Sequence, residues 1–284
     1  MEIIDRFTGI TDKLTPEMTN EARYRAWCEH MASEPTLRDL CLDDYRSIGL
    51  DPERVSVERV FSHPSYDTKR LKRCHRRVRD VLNTQAKAFR RVFGDTLDAL
   101  RMVIYHGLGN AAGWARQVEG HPTVLLGIEK IVELSWDTTE RLTDLIAHEM
   151  AHVMHAVWRG DTMDDFAAQS DRDWVFRLYA EGFATHVENR FYGRKTTQPD
   201  WFTACLQRES SLKANYVKRV KNGESCQAFF GDWHEVDGVS DAGYYLGARL
   251  IHWLLQTRSL REVARLSRAH MHTLAYEYLE DTNV

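Results

Sequence analysis

A chain of 284 residues, 43% of them apolar, carries enough hydrophobic material for one sizeable domain or two small ones. Its 38 lysines and arginines against 42 acidic residues, a net charge of -4, exclude a surface built throughout to hold nucleic acid or an anionic membrane. Five cysteines, odd in number, scattered and without a C-x-x-C pair, suggest neither a disulfide framework nor a cysteine zinc site.

The first residues show no basic segment followed by an apolar run, and no stretch approaches the length of a membrane span. A cytoplasmic location without a membrane or nucleic-acid partner is therefore expected, with export by a signal of another kind left open. From Glu17 to Leu50 the pattern is helical, interrupted by turn signals at Ser33-Glu34-Pro35 and Gly49-Leu50-Asp51-Pro52. A long helix is predicted from Tyr66 to Phe93, where Leu71, Val78, Leu82, Phe89 and Val92 recur at helical spacing and Gly94 follows as a stop. The same helix carries Lys69, Arg70, Lys72, Arg73, Arg76, Arg77 and Arg79. These form either a basic patch or, as the absence of interleaved aromatics favours, a solvated outer face. Residues 1-95 thus read as a helical N-terminal region without nameable chemistry, and residues 96-284 as the functional domain.

Past Gly94 the pattern changes to strands. Arg101 to His106 and Thr123 to Ile128 read as two strands joined by a loop containing Gly107, Gly109 and Gly113. That loop lacks a G-K-[ST] ending, so its glycines serve turns or close backbone approach rather than phosphate binding. A strong helix is predicted from Thr138 to Trp158, opened by Asp137 with Glu140 as a capping box and closed by Gly160. Further helices are predicted from Asp171 to Phe191, ending at Gly193, from Gly243 to Gln256, and from Leu260 to Leu279. Strands before helices, in blocks, indicate an α+β fold with a small sheet and a mainly helical C-terminal half.

The chemistry concentrates in His148-Glu149-Met150-Ala151-His152. Residues four apart on a helix lie one turn above each other, so both imidazoles can reach a single ion. Zinc suits two imidazoles and a carboxylate, and three protein ligands leave a fourth position for water. Glu149 flanks the same face as a proton acceptor. His155 lies seven residues from His148, about 10 Å along the axis, and is expected to support or pack rather than ligate. For the third ligand the candidate is Glu181, in Tyr179-Ala180-Glu181-Gly182-Phe183-Ala184-Thr185, whose small neighbours Gly182 and Ala184 would let two helices approach closely. Glu188, two turns on, is its rival.

The combination of His148-Glu149-x-x-His152, Glu181-Gly182-x-Ala184 and Gly243-Tyr244-x-x-Gly247 resembles the gluzincin metallopeptidases, and more narrowly the YjaZ-like predicted zinc-dependent proteases. The resemblance covers roughly residues 101-256. It implies a zincin-like fold with a small sheet on the active-site helix, zinc on His148, His152 and Glu181, Glu149 as general base and acid, and Tyr244 near the scissile group. Thermolysin-like enzymes place an acid four residues after the glutamate ligand, where this chain has Thr185, so His186 or Glu188 is expected to take over that support. The function expected is peptide-bond hydrolysis, with a peptide or protein substrate laid along the edge strand near Thr123 to Ile128. The alternatives are a non-catalytic, metal-stabilised binding or regulatory protein on the same scaffold and a hydrolase of non-peptide amides.

Overall fold

A computed structural model describes residues 1-15, 17-191, 200-231 and 234-281. Its contacts group the chain into two compact units, Met1-Glu149 and Met150-Val284.

The first unit is built on a four-stranded sheet. Its strands are β1 (Glu2–Asp5), β2 (Arg101–Tyr105), β3 (Gly113–Val118) and β4 (His121–Gly127), in the order β1-β2-β4-β3. β1, β2 and β4 run parallel, and β3 is antiparallel to β4. Strands covered on both faces read as continuous apolar runs. Met102, Ile104, Val124 and Leu126 are fully buried on one face, while Val103, Tyr105 and Leu125 on the other join a core with Trp27, Met31, Leu37, Leu42 and Tyr45.

Two strands are additional to the sequence reading. β1 contributes only Ile3 and Ile4 as apolar residues, too few for a periodic signal, yet it pairs with β2 in the register Ile3 to Met102. The expected boundary at residue 95 therefore runs through one sheet. β3 forms a hairpin with β4 through Glu119 and Gly120, both at positive φ (49° and 79°), the backbone twist that suits a two-residue hairpin turn. Glutamate in place of asparagine at the first turn position hides that hairpin from sequence. Its consequence is a correction: the strand expected from Thr123 to Ile128 is β4 and lies inside the sheet, whose edges are β1 and β3.

Helices α1 (Asn20–His30) and α2 (Pro35–Ser47) supply Trp27, Leu37 and Tyr45 to the core described above. The long helix expected from Tyr66 to Phe93 is present as α3 (Thr68–Thr84) and α4 (Ala86–Phe93), interrupted only at Gln85. Asp67 caps α3, accepting from the amides of Lys69 and Arg70. The short α5 (Ile128–Glu133) follows β4 directly and packs on α3.

Helix α6 (Thr139–Arg159) starts in the first unit and runs on past Glu149. Its cap is Thr138, whose hydroxyl accepts from the Arg141 amide at 3.3 Å, one residue later than expected. Asp137 is occupied otherwise, accepting hydrogen bonds from Arg70 and Arg77 at 3.3 Å each. The helix ends as anticipated at Gly160, φ 82°, where the amides of Gly160 and Asp161 both return to the Ala156 carbonyl.

The described part of the second unit is helical: α7 (Met163–Arg172), α8 (Trp174–Phe191), α9 (Asp200–Leu206), α10 (Glu209–Lys221), α11 (Ala242–Leu254), α12 (Leu260–Ala264) and α13 (Arg268–Glu280). The helix expected from Asp171 begins instead at Trp174, because the Asp173 carboxylate turns back to cap the amides of Val175 and Phe176. Its expected stop at Gly193 lies outside the described residues. The single helix expected from Leu260 to Leu279 is two, with Ser267 capping the second. At the centre of this unit the buried Glu209 carboxylate accepts hydrogen bonds from the hydroxyls of Tyr245 and Tyr278, beside Lys213 and Arg249. No described helix is long and apolar enough to cross a membrane.

Candidate metal centre

His148 and His152 occupy successive turns of α6, and Glu181 sits in the middle of α8. One nitrogen from each imidazole and one oxygen of Glu181 all lie within 4.8 Å of one another. His152 Nε2 and Glu181 Oε2 are 3.4 Å apart, long for a hydrogen bond. Two ligand atoms at about 2.0–2.1 Å from one tetrahedrally coordinated ion stand about 3.3–3.4 Å apart, so the pair is spaced as ligands of a common ion. All three residues are half-buried. Two imidazoles and a carboxylate are a donor set that zinc accepts.

Glu149, one residue after the first histidine, is nearly buried, at 9% exposure. What it faces explains why Gly113 is a glycine: a Cβ there would stand 2.7 Å from Glu149 Cγ and 2.9 Å from its Oε1 and from Leu145 Cδ1. The edge strand β3 thus presents bare backbone to the Glu149 side chain. In sequence Gly113 reads as part of a loop, and the signal for its role is the glycine itself.

The second carboxylate is placed by two further glycines. A Cβ on Gly182 would fall 2.2 Å from the Gly247 carbonyl carbon, and one on Gly247 would fall 2.4 Å from the Leu178 carbonyl oxygen. Helices α8 and α11 therefore cross backbone against backbone one residue beyond Glu181. The close approach expected of Gly182 is real, and the helix it admits is α11.

The remaining sequence candidates separate. His155 is fully buried, stacked 4.2 Å from the Phe183 ring and edge-on to Tyr179 and Phe166. Burial lowers its pKa well below the ordinary histidine value, so the ring is neutral and packs. Thr185 is also buried, and its hydroxyl has no hydrogen-bond partner among the described residues, so it does not replace the acid that orients a histidine in thermolysin-like sites. His186 and Glu188 are half-buried further along α8. Tyr244 is half-buried on the first turn of α11 with its ring edge-on to Phe230 at 5.6 Å. Asp241, expected as the cap of this helix, adopts left-handed geometry, φ 57°, and its side chain makes no capping bond. Tyr245 is wholly buried and committed to Glu209.

Comparison with protein-family models, with curated proteins and with solved structures finds no match to this chain.

Proposed function

We propose that the protein is a zinc-dependent peptidase of the gluzincin type that uses His148, His152 and Glu181 as ligands and Glu149 as general base. The observation that carries this reading is the convergence of the three donor atoms within 4.8 Å, with Glu149 as the next residue on the same helix. When bound, zinc would supply Lewis acidity and lower the pKa of a water in the cleft to roughly 7. Glu149 takes a proton at its carboxylate and returns it to the leaving amine, a task for which near-burial beside bare strand backbone keeps the group shielded and oriented. An extended substrate pairs with the outer edge of β3, the strand that runs past Glu149. Tyr244 is assigned to hydrogen-bond the developing oxyanion. A structural metal site has no use for a carboxylate that stands beside its ligands without being one of them, and on that argument the non-catalytic alternative ranks second.

The test is turnover on unstructured proteins such as casein, with zinc content measured in parallel. Glu149→Gln should retain about one zinc per chain and its fold while losing turnover; His148→Ala and His152→Ala should lose the metal. Tyr244→Phe should keep zinc and lower kcat by roughly ten- to a thousandfold. Full activity in Glu149→Gln would refute the assignment, and a wild-type protein with zinc and no turnover on any peptide would favour the binding-protein reading.

A further inference from the structure

The cations of α3 and α4 fall into two sets. Between Thr68 and Phe93 stand ten arginines and lysines against a single acid, Asp80, in a chain whose acids otherwise outnumber its bases. One set is paired with acids of its own unit: Arg70 and Arg77 with Asp137, Lys72 with Asp12, Arg79 with Asp5, and Arg90 with Asp98. The other set is Lys69, Arg73, Arg76, Lys87 and Arg91, all exposed and without an acidic partner among the described residues. Lys69, Arg73 and Arg76, stepping by four and three, share one face of α3, on which the exposed Asp80 also lies, and Lys87 and Arg91, four apart, share one face of α4. At 1.5 Å per residue these stretches run about 10 Å along α3 and about 6 Å along α4.

The surroundings of these faces decide what they fit. The exposed large hydrophobics among the described residues are Ile3, Ile48, Val157 and Leu206, none of them on α3 or α4. Docking to a protein needs a desolvated apolar anchor, and seating on a membrane needs an apolar wedge. A single-stranded nucleic acid needs aromatic platforms. None of these is present on either face, whereas a duplex phosphate backbone is bound by charge alone. The major groove of B-form DNA, about 12 Å wide, admits a helix between two rows of phosphates, while that of A-form RNA is too narrow.

We propose that the outer faces of α3 and α4 form a sequence-independent docking surface for the phosphate backbone of double-stranded DNA. The chain-wide negative charge does not oppose this, because a local excess of one sign sets the field within a Debye length of about 8–10 Å. The proposal stands apart from the metal centre, and Glu149→Gln is expected to bind DNA as the wild type does.

The experiment is fluorescence anisotropy of a labelled 25-base-pair duplex titrated with the full-length protein. Wild type should bind with a micromolar dissociation constant at low salt. The logarithm of its affinity should fall against log salt with a slope of about -3 to -4.5, as three to five phosphates are neutralised. Two duplexes of unrelated sequence should bind within about twofold. Arg73→Glu/Arg76→Glu/Lys87→Glu should weaken binding at least a hundredfold, and Arg73→Ala should lower the slope by about one. Lys13→Glu/Arg54→Glu/Lys218→Glu, an equal charge change at exposed positions elsewhere, should have a much smaller effect. Absence of binding at low salt, equal losses in the two triple variants, or tighter binding to phosphatidylserine vesicles or duplex RNA than to duplex DNA would overturn the proposal.

Discussion

Replacing Gly182 by alanine tests the placement of Glu181 most directly, because two effects of opposite sign compete. On helix propensity alone the change would stabilise α8 by about 1 kcal/mol. Against that, the new methyl would lie 2.2 Å from the Gly247 carbonyl carbon, 2.3 Å from its oxygen and 2.5 Å from its Cα. Carbon contacts settle at about 3.5 Å or more, so the helices must separate locally by about 1.3 Å. The obstructing atoms are backbone on both sides and no rotamer change relieves them, so the penalty belongs at the upper end of overpacking costs, about 3 kcal/mol. The net expectation is a loss of about 2 kcal/mol. Glu181 is the adjacent residue, and metal–ligand distances tolerate only about 0.2 Å, so zinc affinity should fall by ten- to a hundredfold. Urea unfolding followed by tryptophan fluorescence reads the first quantity, and competition with a chromophoric chelator reads the second. Gly247→Ala meets Leu178 O at 2.4 Å and Gly182 Cα at 2.7 Å and should behave alike. A Gly182→Ala protein that is more stable than wild type and binds zinc equally would refute the backbone crossing as the device that positions Glu181.

Three other outcomes follow from the same geometry. Glu181→Ala should weaken zinc binding at least a hundredfold in the chelator assay and Glu188→Ala less than tenfold; the reverse order would transfer the ligand role to Glu188. Gly113→Ala should leave zinc content unchanged and cost less than about 1 kcal/mol, since its clashes are with side chains, yet lower kcat at least tenfold by displacing Glu149; unaltered turnover would show that the glycine does not matter to the base. Tyr245→Phe, beside Tyr244 in sequence, is no neutral control, because it removes a hydroxyl donor from buried Glu209 and should cost about 1.5–3 kcal/mol. Burial would raise the Glu209 carboxyl, but hydrogen bonds from Tyr245 and Tyr278 and the charges of Arg249 and Lys213 outweigh it and hold its pKa below the usual value. A depressed folded-state pKa contributes stability above the unfolded value near 4.5 and loses it as pH falls through the folded one. The acid-unfolding midpoint, read by near-ultraviolet circular dichroism, should therefore rise in Tyr245→Phe; an unchanged midpoint would count against the network.

What sequence revealed and what it hid divide along sequence distance. The α6 helix and its two histidines were legible because helical spacing alone sets where residues four apart point, and Gly160 ends the helix by its own conformational freedom. β2 and β4 were legible because burial on both faces turns them into unbroken apolar runs. β1 was not, since a four-residue strand owes its existence to pairing with β2, about a hundred residues away. Asp137 and Asp241 look equally suited to capping, yet arginines 60 and 67 residues upstream occupy the first and left-handed backbone disables the second. The basic residues of α3 show the same limit, because only the fold tells which of them meet acids.

The two carboxylates of the proposed site depend on packing in a way the histidines do not. The imidazoles are held in register by one continuous helix, whereas Glu149 relies on the bare backbone at Gly113 and Glu181 on the Gly182–Gly247 crossing. Each glycine is visible in sequence, but the surface it admits is not, and the cost of filling it depends on that surface. Side chains at Gly113 can yield, so enlargement there should disturb chemistry more than stability. Backbone at Gly182 cannot, so enlargement there should disturb both. Under the proposed ligand set, loosening α11 should accordingly release Glu181 before the histidine pair, leaving a two-imidazole clamp that binds zinc weakly and no longer fixes its geometry.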